Sequence, residues 1–428
     1  MPTTAFISKR REELPASMKK LPINLVLTYL STLIGFLLVL LLARVLGAER
    51  FSWVALGLAI GGFLVPLFNL GSDRTFVRDA IARKQIEPID RMVLSNLNQR
   101  ILMLIPIFIA LLGITPFFTN TIQDTVSLIG LSLWAGLIGL YPASWFDYSH
   151  DVRRQNLIVL AERSVSLLLI YALYHFADEA PDLLAIGMGL LVTRAASILL
   201  QIRSWWIHHA SMPFSLSFVP IRKNQNGINL HITTATVANA LLTYGNQLLL
   251  AYNNAPVELS SYSLAFQMMM IVFLFQGQAI RLSNRSIMEA CSSQKAFLQS
   301  IAHNAGLLFS GSTILAFGVW VAIQVLPLIL ADSRFLAMSI FAIPLCIWVC
   351  LTGIGFSISQ HSLALEQEHL LLFTSLVGGA FALLLGWLFI PAYGAMAVAL
   401  ILVTVHSSMM LVNAIGLLYS IKMKKSWG

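Results

Sequence analysis

Apolar runs of about twenty residues, separated by short polar clusters, recur from residue 22 to residue 420. A helix needs ~20 apolar residues to cross a hydrocarbon core of ~30 Å, so each run is long enough to span a bilayer. The spacing predicts twelve helices, at 22–46, 51–71, 99–118, 125–146, 157–177, 183–202, 228–251, 259–281, 301–327, 335–358, 370–390 and 394–420. The short alternating segments of a membrane β-barrel do not occur. The pattern therefore describes an all-α polytopic membrane protein with about twelve transmembrane helices.

Composition changes the picture by excluding a water-soluble reading. Of the 428 residues, 57% are hydrophobic and 11% charged, and the mean hydropathy is +0.79. Such a chain cannot cover its apolar surface with polar groups and needs lipid as solvent. Cys291, Cys346 and Cys350 suggest neither a disulfide framework nor a metal cluster, and the last two sit in an apolar run as small core residues. Lys9, Arg10, Arg11, Lys19 and Lys20 precede an apolar stretch longer than a signal-peptide core, which points to an uncleaved first helix behind a cytoplasmic tail.

Charge sorts the connections into two sets. One set comprises the N-terminal tail, 72–98, 147–156, 203–227, 282–300, 359–369 and the C-terminal lysines; with Arg100 and Arg281 it holds 22 of the 27 Lys and Arg. The other holds Arg50 and Arg334, with Arg44 near a helix end, beside the acids Glu49, Asp124, Asp178, Glu179, Asp182, Glu258 and Asp332. The positive-inside rule then places both termini in the cytoplasm. The outer connections are short, which disfavours a membrane enzyme of polysaccharide assembly, since such an enzyme needs an extramembrane loop to hold substrate and catalytic carboxylates.

The chain reads as two copies of one six-helix unit. Asn24 and Asn229 open the first and seventh helices at an offset of 205, and Glu49–Trp53 can be laid on Glu258–Tyr262 at an offset of 209. Pro142 matches Pro344 in helices 4 and 10, and Pro116 matches Pro327 at the ends of helices 3 and 9. Parallel repeats related by an axis along the membrane normal would leave a cleft between the halves. The expected organisation is a cytoplasmic tail (1–21), a first six-helix bundle (22–202), an interfacial linker (203–227), a second bundle (228–420) and a second tail (421–428). Trp205, Trp206, Phe214 and Phe218 in the linker suit the membrane interface.

Polar faces on apolar helices must meet another helix or water. Helix 1 carries Asn24, Thr28 and Ser31 on one face, helix 7 carries Thr236, Asn239, Thr243 and Asn246, and helix 8 carries Gln267 and Arg281 on a longer stripe. These are substrate-cleft candidates suited to a hydroxyl-rich or anionic ligand, with helix–helix hydrogen bonding as the bland alternative. Ionisable residues inside spans are functional candidates because burial in hydrocarbon is costly. Glu162 and Arg194 lie within ~5 Å of each other in depth, at 1.5 Å rise per residue, so they form either a structural pair or a transport pair. Arg163 is placed to snorkel to the interface. Glu162 and His231 are candidates for ion coupling, and Arg194 for substrate binding; lone His406 reads as packing. Arg74 and Arg78, four apart after helix 2, are placed to meet a diphosphate, although positive-inside topology also accounts for them. No phosphate-binding P-loop, zinc signature or nucleophile elbow is present, no paired carboxylates stand out, and nothing suggests a cofactor or a nucleic-acid partner.

One stretch carries a resemblance. ARVLGAERFSWVAL followed by NLGSDRTFVRDAIA, within Ala43–Ala82, and YSLAFQ at Tyr262–Gln267 resemble the oligosaccharide-lipid flippases of the multidrug/oligosaccharidyl-lipid/polysaccharide (MOP) exporter superfamily. The sequence departs from that pattern at Ser52, where glycine is usual, and at Asn69, where aspartate is common. The resemblance implies two six-helix bundles that alternate between inward- and outward-open states. It implies translocation of a polyprenyl-diphosphate-linked oligosaccharide with an H+ or Na+ gradient, in the inner membrane, beside a polymerase and assembly proteins. A drug/cation antiporter of the same superfamily is the alternative, and it would favour an acidic cleft.

Overall fold

The computed structural model describes residues 21–71, 76, 89–149, 151–176, 182–209, 230–291 and 293–423. Helices account for nearly all of them: α1 (Leu21–Asn69), α2 (Ile89–Leu102), α3 (Leu104–Ile114), α4 (Ile122–Gly136), α5 (Ala143–Tyr148), α6 (Val152–Phe176) and α7 (Leu183–His209) come first. After them come α8 (Leu230–Ala240), α9 (Asn246–Tyr252), α10 (Pro256–Ala290), α11 (Gln294–Leu330), α12 (Met338–Ala364) and α13 (Glu368–Met423).

Nine segments among the described residues are long and apolar enough to cross a membrane. Two of them are double crossings. Gly47 (φ 67°, ψ 170°) breaks α1 and Gly394 (φ 54°, ψ −138°) breaks α13, each by a backbone conformation that costs an L side chain ~1–2 kcal/mol. The twelfth crossing is α8–α9, joined by a π-helical turn at Leu241–Gly245. Its row of Thr, Asn and Gln side chains lowers its hydropathy and keeps it outside the nine.

The crossings sort into two bundles. In the first, α1 packs on α4 and α6, and α7 packs on the same two helices. In the second, α11 packs on α12, α12 on α13, α8 on α13, and α10 bridges α11 and α12. The bundles meet where α1 runs along α10 and α8. Lipid-facing positions are large and apolar, as at Phe176, Phe381, Trp387 and Leu400, whereas buried polar groups tie helices together. Gln276, for example, donates to Ser312 Oγ at 2.8 Å and to the Val349 carbonyl at 2.7 Å, and accepts from Thr352 at 3.1 Å.

Several expected loops are helix. The third crossing begins at Ile89, α7 continues through Arg203 to His209, α10 reaches Ala290 and α12 reaches Ala364. These polar extensions carry helices past the hydrocarbon, where an apolar-run criterion stops. Trp205 accordingly belongs to a helix and packs edge-on to Trp145 at 5.8 Å, in a small core with Phe76, Met92 and Phe146. The proline matches also separate. Pro142 sits at a true interruption, between a 3-10 turn at Leu137–Leu140 and α5, while Pro344 lies inside continuous α12. Arg100, fully buried, donates to the Gly139 and Tyr141 carbonyls freed by that interruption, at 3.1 and 3.0 Å.

Candidate substrate cavity

The two bundles are locked at one end, where the breaks at Gly47 and Gly394 lie. A helix that restarts after a break leaves its first N–H groups unpaired. For the second crossing, the Ala48 N–H is taken by Asp332 Oδ2 of the other bundle at 3.2 Å. Asp332 is itself held by the Arg334 backbone N–H at 3.0 Å and by Arg334 Nε and Nη2 at 3.0 and 3.1 Å. These donors, the Arg334 side chain foremost, hold the Asp332 carboxyl below the usual carboxylate range. Arg334 reaches Glu49 of the first bundle at 3.3 Å, Ser260 donates to the Ala48 carbonyl, and Phe51 meets Phe335 edge-on at 6.3 Å. Within the second bundle Glu258 repeats the device, accepting from the Ala395 N–H at 2.7 Å.

Below that closure a cavity of about 340 Å³ runs toward the opposite end, where Leu21 and Met423 lie. Gly62, Val65 and Pro66 of α1 form its first-bundle wall, and α8, α10, α12 and α13 form the rest. At mid-depth Tyr244 packs beside Gly62 so closely that a Cβ there would sit 2.4 Å from the ring. The far mouth is marked by Gln360, Leu363 and Glu368. One wall is aromatic: Phe273 lies 4.8 Å from Trp348 and 5.9 Å from Phe356, and Phe266 stacks on Trp348 at 5.5 Å. Thr236, Asn239, Thr243, Ser359, Gln360 and Asn413 supply amides and hydroxyls.

The structure divides the expected cleft residues. Thr236, Asn239 and Thr243 line the cavity. Asn246 does not: it is buried against α13, where its Oδ1 occupies the space a Cβ on Gly386 would need. The π-helical turn explains this. One extra residue in the turn rotates everything beyond it by about 100° relative to the 3.6-residue period. Gln267 is half-buried and lies off the wall that α10 builds from Phe266, Met270 and Phe273. The helix 1 face turns away from the cavity to α6: Asn156 donates to the Asn24 carbonyl and to Thr28 Oγ1 at 3.2 and 3.0 Å, and Arg163 donates to the Ser31 carbonyl at 2.7 Å. Arg163 therefore lies over Gly35 rather than snorkelling. His231 is exposed at the far end, its ring 4.5 Å from that of His369. Arg74 and Arg78 fall outside the described residues, and Arg281 is described only as backbone within α10. His406, expected as packing, stands on the cavity wall 6.5 Å from Trp348.

Glu162 and Arg194 meet in the interior of the first bundle, away from the cavity. Arg194 Nε lies 3.2 Å from Glu162 Oε1, with the side chains 5% and 2% exposed. Tyr141 donates to Glu162 Oε2 at 2.7 Å, and the Arg194 guanidinium lies over the Tyr141 and Trp134 rings at 5.3 and 5.8 Å. Tyr141 was not legible as a partner in the sequence, because it follows an irregular turn that helical spacing does not anticipate.

Two six-helix bundles, joined at one end and enclosing a polar and aromatic cavity toward the other, have the form of a membrane transporter. The chain belongs to the polysaccharide biosynthesis protein family, whose sequence profile matches residues 17–278, more than half of the chain. A search of curated proteins gives no match. Among solved structures the fold is similar to an inward-facing multidrug resistance MATE transporter of the MOP superfamily, with 12% identity and TM-score 0.67 over 92% of this chain and 96% of that one. It is also similar to a MOP superfamily transporter from Pyrococcus furiosus, with 12% identity and TM-score 0.63 over 94% and 96%. A eukaryotic MATE transporter aligns at 14% identity and TM-score 0.62 over 96% of each chain. The chain is therefore a multi-pass membrane protein of that family, with the fold of MOP-superfamily transporters.

Proposed function

We propose that this transporter is a flippase that carries a polyprenyl-diphosphate-linked oligosaccharide across the bacterial inner membrane by alternating access, in the assembly of a surface polysaccharide such as O-antigen, capsule or exopolysaccharide. The observation that carries the proposal is the cavity between the bundles, rich in hydroxyls, amides and rings, closed at the Gly47 end and reaching toward the end where Leu21 and Met423 lie. With the termini cytoplasmic, as the charge asymmetry predicts, this is the state that receives substrate from the cytoplasmic leaflet. The sugar head passes between the lobes, 22–202 and 228–420, while the polyprenyl tail stays among the membrane lipids. Arg74, Arg78 and Arg281 are the candidates to meet the diphosphate. His231, exposed at the far end beside His369, is the better-placed candidate for H+ or Na+ coupling; Glu162 is engaged by Arg194. The protein itself performs no covalent chemistry and passes its cargo to a polymerase and assembly proteins.

The test is reconstitution in liposomes with a fluorescent polyprenyl-diphosphate oligosaccharide, reading the fraction quenched by a membrane-impermeant reductant. Accelerated exchange between leaflets supports the proposal. Exchange no faster than in protein-free liposomes, alongside uptake of an organic cation, assigns the chain to the drug/cation antiporters instead.

A further inference from the structure

The charge of the cavity decides what part of a substrate it can hold. Among the described residues that line it there is no Lys or Arg, and the carboxylate Glu368 stands at the mouth; at mid-depth His406 is the ionisable side chain besides Tyr244. A diphosphate seated there would be desolvated without a cation and would face the Glu368 carboxylate at the mouth, at high cost. An uncharged ligand escapes that penalty.

The wall chemistry narrows the class further. Trp348 is 2% exposed, yet its indole N–H has no partner, although it lines the cavity. Asn239 and Gln360 add amide donors and acceptors on facing helices, α8 and α12. Phe273 and Phe356, both half-buried, present rings at 5.9 Å from each other. A pyranose combines a face of polarised C–H bonds, which suits the negative face of an aromatic ring, with a rim of hydroxyls that suits amides. The volume of about 340 Å³ falls in the ~300–1,000 Å³ range of small-ligand sites.

We propose that the cavity between the bundles is a binding site for an uncharged sugar residue of the transported glycan, with Phe273 and Phe356 as the stacking rings and Asn239 and Gln360 as hydrogen-bonding partners. The proposal rests on the flippase reading for the identity of the glycan, and it assigns the diphosphate to a site outside this cavity.

Saturation-transfer NMR on the full-length protein in lipid nanodiscs tests it. The probes are methyl glycosides of glucose, galactose, N-acetylglucosamine and rhamnose, with methyl glucuronide and tetraethylammonium as charged comparators. At least one neutral glycoside is expected to receive saturation at its ring protons more strongly than either charged probe. Its affinity should fall about tenfold, the equivalent of ~1.4 kcal/mol, in Phe356→Leu and in Asn239→Leu, both checked for an unchanged melting temperature. The proposal is overturned if no neutral glycoside binds, if glucuronide or tetraethylammonium binds better, or if folded variants bind as the parent does. Leaflet exchange measured on the same preparations separates the two readings. Exchange without neutral-sugar binding removes this site and leaves the flippase; sugar binding without exchange of the lipid-linked oligosaccharide removes the flippase and leaves the site.

Discussion

Replacing Asp332 with Ala should open the end of the molecule that holds Gly47. Asp332 caps the restarting second crossing of α1 through the Ala48 N–H at 3.2 Å, and that bond joins the two bundles. Losing an aspartate cap costs ~1 kcal/mol, within a range of about 0.5–2. The bond exists only while the bundles are closed at this end, so its loss falls on the closed state and raises the open fraction about fivefold. The Arg334–Glu49 contact, with side chains 46% and 70% exposed, is too well solvated to restore the closure alone. Spin labels at Ile122→Cys and Leu336→Cys, both exposed and on opposite bundles, would report the separation by pulsed electron resonance in a background lacking Cys291, Cys346 and Cys350. The longer-distance population should grow about fivefold in Asp332→Ala. An unchanged distance distribution would refute the idea that this carboxylate holds the bundles together.

The same pair of labels should show an acid-sensitive closure. Arg334, two residues away in the same bundle, lowers the Asp332 carboxyl whether or not the bundles meet, and the Ala48 N–H lowers it further only in the closed state. That added contribution is fully present above the ordinary value of ~4 and is lost as pH falls through the lowered one. Opening on acidification should vanish in Asp332→Asn. In the first bundle, Arg194→Ala strands the buried Glu162 carboxylate and should destabilise by ~3–5 kcal/mol in a thermal melt, whereas Arg194→Met with Glu162→Gln should recover most of that loss. Ala331 ends α11 in the left-handed region at φ 54° and is exposed, so Ala331→Gly should stabilise by ~1 kcal/mol.

Much of the architecture was readable because a bilayer imposes one length on every crossing. The short break between the helices predicted at 22–46 and 51–71, the helix count and the shared depth of Glu162 and Arg194 all follow from that length. The cavity was readable only in part. Thr236, Asn239 and Thr243 obey helical spacing and were found, but the π-helical turn after Ala240 moved Asn246 off the face, and no residue in LLTYG announces such a turn. The stripe of Asn24, Thr28 and Ser31 was equally regular, yet its hydrogen bonds go to α6, because periodicity identifies a polar face without identifying its partner. Trp348, Phe273 and Phe356 stand among dozens of apolar residues in apolar runs. Only the packing of α10 against α12 sets them apart. His406 was read as packing for the same reason.

The central claim is that the bundles must part at the Gly47 end for cargo to leave. Glu49→Cys and Arg334→Cys, whose native side chains meet at 3.3 Å, can be joined by a short reducible bis-thiosulfonate linker in the cysteine-free background. Leaflet exchange of lipid-linked oligosaccharide should stop in the linked protein and return on reduction. Undiminished exchange by fully linked protein would contradict the account.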